Sequence, residues 1–140
     1  MSVVPGRRTP AEMAIRVAIV GLTLATAYIH LTLGSLLFLA NAAGYATLAV
    51  AMAAPLPLAS RFRWLIRPAL IGFAAATIGG WLLFGARYDV AYLSKAIEVA
   101  LIALLTVEMF RFDGGPLGVL RKGLALLGDV RRALARPHAA

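Results

Sequence analysis

Apolar residues dominate the chain up to about residue 110. The longest run, from Val17 to Ser60, contains no Asp, Glu, Lys or Arg in 44 residues, and His30 is its only side chain that titrates near neutral pH. A helix of about 20 apolar residues crosses the hydrocarbon core of a bilayer, so this run is long enough to cross twice. The pattern therefore predicts an integral membrane protein.

Breaks in this pattern divide it into four apolar segments of about 20 residues each. Gly34 and Ser35 separate the first two segments and predict a tight hairpin. Pro57 and Arg61 follow the second segment, and Pro68 is expected in the first turn of the third, where a missing N–H costs no hydrogen bond. The predicted fold class is an all-α integral membrane four-helix bundle with spans at residues 14–33, 36–56, 65–84 and 90–110.

A different pattern begins after the fourth segment. Arg111 and the sequence Asp113-Gly114-Gly115-Pro116 are expected to end the span, which divides the chain into a transmembrane bundle, residues 1–113, and a basic tail, residues 114–140. From Leu117 to Ala135, apolar and basic residues fall on opposite sides of a helical wheel, as in an amphipathic interfacial helix. A helix packed against the protein's own loops is the alternative. The residues predicted to contact the membrane surface are Arg121, Lys122, Arg132 and Arg136.

The distribution of charge predicts the orientation of the spans. The chain carries 14 Lys and Arg against 6 Asp and Glu, and all the basic residues except Arg87 and Lys95 fall on one side of the predicted spans. Under the positive-inside rule this side is cytoplasmic, so we expect a multi-pass plasma membrane protein with both termini in the cytoplasm. The basic excess then reflects topology rather than nucleic-acid binding. Because apolar sequence continues past Ala25-Thr26-Ala27, the first span is expected to be retained rather than cleaved as a signal peptide.

Four polar side chains from three spans are expected at similar depth near the outer surface. His30, Asn41 and Lys95 should lie about one turn below that surface and Glu98 about two turns below it. Lys95 and Glu98 are three residues apart and can pair on one helix face. Charges inside a span are costly and often functional, so these four residues are candidates for binding a small polar ligand, a proton or an ion in an outward-facing pocket.

A structural role explains the same residues. Lys95 would then extend to the interface while Glu98 pairs with it, and His30 and Asn41 would make interhelical hydrogen bonds of about 0.6 kcal/mol each. Near the inner end of the fourth span, Glu108 is expected to reach water or Arg111.

Small residues predict faces where helices approach closely. Residues four apart that are both small allow close contact between backbones, within one chain or between two subunits. The predicted packing faces comprise Ala40, Gly44, Gly72, Ala76, Gly79 and Gly80.

Catalytic and cofactor motifs are missing. The chain has no HExxH, GxSxG or P-loop sequence and no Cys, so no enzyme activity, metal or cofactor is expected, and a bound haem would need His30 from two copies. The leading prediction is an accessory or structural subunit that acts by helix packing in the lipid bilayer, with itself as a homo-oligomer or with a larger complex. The alternatives are a membrane protein that binds or conducts a ligand, proton or ion through the polar pocket, and a membrane-surface adaptor that uses the basic tail.

Overall fold

The computed structural model describes residues 9–135, and this part of the chain contains α-helices but no strands. Four of its helices are long and apolar enough to cross a membrane, which confirms the predicted helical class and the four membrane-length segments. In chain order the helices are α1 (Pro10–Thr32), α2 (Leu36–Ala53), α3 (Pro57–Arg61), α4 (Arg63–Phe84), α5 (Asp89–Asp113) and α6 (Gly115–Leu134).

Local sequence explains where the first two helices begin and end. The Thr9 hydroxyl accepts a hydrogen bond from the Glu12 amide at 3.3 Å, while the Glu12 carboxylate accepts one from the Thr9 amide at 3.1 Å. This reciprocal capping box satisfies donors that the first turn of α1 leaves unpaired. Gly34 adopts φ +72° between α1 and α2, and the Ser35 hydroxyl caps α2. The predicted hairpin at Gly34-Ser35 is therefore confirmed.

Other boundaries differ from the prediction. The expected loop after the second span contains the five-residue helix α3, which begins at Pro57. Helix α4 begins at Arg63, so Pro68 lies inside the helix instead of in its first turn. Helix α5 continues through Arg111 to Asp113, because the Arg111 side chain is exposed and the Asp113 carboxylate has cationic partners. The helix ends only where Gly114 adopts φ +75°.

Each of the four membrane-length helices packs against two of the other three: α1 contacts α2 and α5, and α4 also contacts α2 and α5. The contact between α2 and α4 is the least extensive of the four. Large apolar residues such as Leu83 and Val99 are exposed on the outside, as expected for surfaces that face lipid. The apolar core between the helices contains Ile19, Ala27, Tyr45, Met52, Leu70, Ala74, Leu101 and Leu105.

This packing gives the molecule two ends with different chemistry. We call one the hairpin end, which holds the connections at residues 33–35 and 85–88. The other is the terminal end, which holds the start of α1, helix α3 and the junction of α5 with α6.

Candidate functional site

At the hairpin end, three helices converge on one buried carboxylate. Glu98 of α5 is 0 % exposed. Its Oε1 accepts hydrogen bonds from the Thr26 hydroxyl of α1 at 3.2 Å and from the Ser94 hydroxyl at 3.3 Å. Its Oε2 accepts from the Thr77 hydroxyl of α4 at 2.9 Å and from Lys95 Nζ at 2.6 Å. Glu98 therefore fixes side chains of α1, α4 and α5 relative to one another.

The predicted pair of Lys95 and Glu98 is confirmed by this geometry. The ammonium and the carboxylate are three residues apart on α5, and the side chain of Lys95 is only 12 % exposed. A buried charge needs both a counter-ion and hydrogen bonds. Glu98 is the counter-ion of Lys95, and the hydroxyl groups donate the remaining hydrogen bonds to Glu98. The Lys95 ammonium group is thereby paired with Glu98 close to the hairpin end.

His30 packs against the same carboxylate but bonds within its own helix. Its Nδ1 lies 2.8 Å from the Thr26 carbonyl oxygen, so this nitrogen donates and Nε2 is without a proton in the neutral ring. Nε2 faces Glu98 Oε1 at 3.8 Å. The ring also contacts those of Phe38 and Tyr45, with centroids 6.0 and 5.6 Å away. The interhelical hydrogen bond expected for His30 is thus replaced by an intrahelical one.

A cavity of about 620 Å³ lies beside this cluster, between α2 and the hairpin of α4 and α5. Three of the four candidate residues, His30, Asn41 and Lys95, line it, whereas Glu98 lies behind the lining. The volume falls within the range of about 300 to 1,000 Å³ that is usual for small-molecule sites. Much of the remaining lining is apolar or aromatic, including Leu37, Phe38, Phe73, Trp81, Phe84 and Tyr88.

The sequence of α4 explains why the cavity opens where it does. The Phe73 ring packs directly against Gly44 and lies edge-on to Tyr45 at 4.8 Å, which closes the seam between α2 and α4. About one and two turns further toward the hairpin end, α4 presents Ala76 and Gly80, and both line the cavity. These small residues leave room beside α2. Ala76 and Gly80 border this cavity in the single chain, and their packing against a helix of another subunit stays a prediction.

The other predicted packing residues have different surroundings. Gly44 is in close contact with Phe73, as predicted for a small residue at a helix interface. Ala40 and Gly72 are exposed, and a methyl group added at Gly72 or Gly79 would meet no atom of the described chain within 4 Å. A packing role of these residues toward a second subunit stays a prediction.

At the terminal end, a second ionic cluster surrounds Glu108 of α5, which is 1 % exposed. Arg16 of α1 donates to Glu108 Oε1 at 3.1 Å, and Arg67 of α4 donates to Oε2 at 3.0 Å. Arg67 also bonds to Asp113 at 2.6 Å, and Lys122 of α6 bonds to the other oxygen of Asp113 at 2.6 Å. The expectation that Glu108 reaches water or Arg111 is wrong, because its partners lie 92 and 41 residues away in sequence.

The residues predicted to contact the membrane surface differ in their contacts and exposure. Lys122 bonds to Asp113, and Arg132 bonds to Asp129 one turn earlier at 2.6 Å. Arg121 is exposed, and Arg136 lies outside the described residues. The apolar face of α6 is largely exposed, including Leu120, Leu124, Leu127, Val130 and Leu134.

Neither a metal-binding group nor similarity to a known protein helps to assign a function to this chain. Among residues 9–135, no group of three His, Asp or Glu side chains comes together to hold a metal ion. A scan against protein-family models and searches of curated proteins and solved structures found no match. The function proposed for this chain therefore rests on its own side chains.

Proposed function

We propose that this chain is a membrane protein that binds an apolar molecule with a hydrogen-bond-accepting end group in the hairpin-end cavity. The observation that carries the proposal is the placement of His30, Asn41 and Lys95 on one otherwise largely apolar lining. Sites for small molecules combine a mostly apolar wall with a few polar groups that orient the ligand. Of the functions considered from sequence, ligand binding through this pocket has the strongest geometric support.

The charge on the lining favours an acceptor end group. Lys95 lines the cavity, but its counter-ion Glu98 does not, so a molecule inside would meet the ammonium and not the carboxylate. The ammonium has three N–H donors, of which Glu98 takes one in this structure. A carboxylate or carbonyl oxygen on the ligand would accept another. Glu98 acts here as a positioning residue and Lys95 as a binding residue.

The experiment uses Trp81, which lines the cavity and is one of two tryptophans in the chain. In a Trp64→Phe background, Trp81 fluorescence is followed in lipid nanodiscs while 2-naphthoic acid is added, and empty nanodiscs give the partition background. We expect saturable binding that is weakened at least about tenfold when 2-naphthylmethylamine replaces the acid, since the amine is protonated at neutral pH, and its ammonium cannot accept from Lys95 and is repelled by it.

Lys95→Met should weaken naphthoic acid binding by a similar factor. Lys122→Met is the matched control, because it removes the other lysine of the chain and Lys122 lies at the opposite end of the molecule. Equal affinities for the acid and the amine, or an unchanged Kd in Lys95→Met, would contradict the proposal.

The membrane architecture proposed around this site is a four-span bundle in a plasma membrane, with both termini in the cytoplasm and α6 on the membrane surface. The uneven distribution of Lys and Arg and the exposed leucines of α6 support it. The chain has no Cys, so single cysteines report topology directly. Ala86→Cys at the hairpin end should react with a membrane-impermeant maleimide on intact cells, and Ala125→Cys in α6 should react only after lysis.

A second candidate function is the accessory subunit that associates through helix packing. The open surroundings of Gly72 and Gly79 support it, because a face of small residues lets another helix approach closely. We take that helix to be α4 of a second copy. Gly79→Leu should abolish crosslinked dimers in lipid without changing the fold of the single chain. A monomeric wild-type protein would remove this candidate.

A further inference from the structure

A second cavity, of about 430 Å³, lies at the terminal end and has a strong excess of positive charge. Asp113 is the only carboxylate among its described lining residues, and Glu108 lies close behind. Even when both carboxylates are counted, an excess of three positive charges remains. The basic lining residues are Arg16, Arg61, Arg63, Arg67 and Lys122.

Two of these guanidinium groups are built into the protein. Arg67 is 4 % exposed, bonds to Glu108 and Asp113, and lies 5.3 Å from the centroid of the Phe112 ring. Arg63 is 7 % exposed and donates to the Ala54 carbonyl oxygen at 3.2 Å. Groups held in this way lose little conformational entropy when they bind an anion. The cavity is therefore preorganised and not a chance meeting of flexible surface side chains.

The position of the cavity matches the boundary of the apolar segments. No charged residue follows Arg16 until Arg61, and none follows Arg67 until Arg87. Arg16 and Arg67 thus mark the last charged position before the apolar part of α1 and of α4. In a bilayer this is the level of the lipid headgroups, where Trp64, also on the lining, is a common residue type.

We propose that the terminal-end cavity binds a phosphate group at the level of the lipid headgroups. Arginine suits this ligand, because its planar guanidinium matches phosphate oxygens in pairs and stays charged at any relevant pH. Basic pockets between transmembrane helices hold anionic headgroups in the same way. The phosphate group can belong to an anionic lipid or be free in solution. The two sources differ in whether a lipid must be attached to the phosphate for tight binding.

The test uses Trp64, which becomes the only tryptophan in a Trp81→Phe background. Its fluorescence is followed in a neutral detergent while a short-chain phosphatidylglycerol, a short-chain phosphatidylcholine or inorganic phosphate is added. We expect saturable binding of phosphatidylglycerol at least about tenfold tighter than that of phosphatidylcholine, whose choline adds a positive charge. Inorganic phosphate that binds as tightly as the lipid identifies a soluble source; phosphate that binds much more weakly identifies the lipid.

Arg61→Gln is the informative variant, because Arg61 lines the cavity but is exposed and belongs to no ion pair among residues 9–135. We expect its Kd for phosphatidylglycerol to rise about tenfold with an unchanged helical circular dichroism spectrum. Arg121→Gln removes the same charge from α6 outside the lining and should leave Kd within about twofold of the parent. Equal losses in the two variants would overturn the proposal in favour of diffuse electrostatic attraction. Equal affinity for the two lipids would overturn it because the charge of the headgroup would then not affect binding.

Discussion

Two buried glutamates of α5, Glu98 and Glu108, are ten residues apart and have opposite surroundings. Three hydroxyl groups and one ammonium surround Glu98, whereas two guanidinium groups hold Glu108. At the hairpin end, charge is balanced within one pair and the neighbouring cavity is mostly apolar. At the terminal end, cations exceed carboxylates and line the cavity.

The difference shows how neighbours decide what a buried carboxylate does. Hydroxyl groups are neutral, so those around Glu98 satisfy its oxygens without adding charge to the adjacent space. The guanidinium groups around Glu108 also satisfy its oxygens, but each brings a full charge and further N–H groups. The first arrangement suits an apolar ligand with one polar end, and the second suits an anion.

The largest effect is expected when the terminal-end network loses Arg67. Arg67→Met leaves Glu108 and Asp113 with one cation fewer each in a buried position, and breaking such a pair costs about 3 to 5 kcal/mol. The free energy of unfolding is measured by titration with SDS in mixed micelles. Arg111→Met, which removes an exposed arginine from the same end, should change it by less than about 0.5 kcal/mol. Equal losses in both variants would mean that the network does not stabilise the fold.

A smaller loss is expected at the hairpin end. Glu98→Gln keeps the size of the side chain and an oxygen that accepts from hydroxyl groups, but it leaves the Lys95 ammonium without its counter-ion. The cost is about 1 to 3 kcal/mol, because the partly exposed lysine can extend toward water at the hairpin end. The double variant Lys95→Met with Glu98→Gln should be less destabilised than the sum of the two single variants, since neither charge then remains alone. Strict additivity in this cycle would contradict a direct interaction between Lys95 and Glu98.

The sequence predicts the helices much better than it predicts their contacts. Apolar runs and the Gly34-Ser35 turn are local signals. The pair of Lys95 and Glu98 was predictable for the same reason, because helical spacing alone brings it together. These features depend on residues at most a few positions apart.

The terminal-end network and its cavity depend on how helices pack, which spacing cannot reveal, whereas the similar depth of His30, Asn41 and Lys95 already indicates a pocket at the hairpin end. Glu108 pairs with Arg16, which lies 92 residues away in the sequence, and no local pattern distinguishes this partner from Arg111. Ala76 and Gly80 carry the same small-residue signal whether they meet another helix or border a cavity. The difference arises from Phe73, whose ring fills the seam against Gly44 and leaves the space beyond it open.

A substitution at Gly44 tests how tightly Phe73 packs between α2 and α4. A methyl group in Gly44→Ala would collide with the Phe73 ring, and overpacking of this kind costs about 1 to 3 kcal/mol. Gly72→Ala on α4 is the matched control, because its methyl group meets no neighbouring atom, and it should be neutral or stabilising by up to about 1 kcal/mol. The same SDS titration compares the two. Similar stability of both variants would show that the Phe73 ring moves aside readily.

The smallest effect is expected where α6 meets the terminal-end network. The Lys122 side chain is 42 % exposed, so its ion pair with Asp113 is screened by solvent, and Lys122→Gln should change the free energy of unfolding by less than about 1 kcal/mol. The local consequence is larger than the global one, since this pair joins α6 to the end of α5. Amide hydrogen exchange in Gly115–Leu134 should accelerate while exchange in α4 and α5 stays unchanged. Unchanged exchange in α6 would mean that lipid, and not Asp113, holds this helix in place.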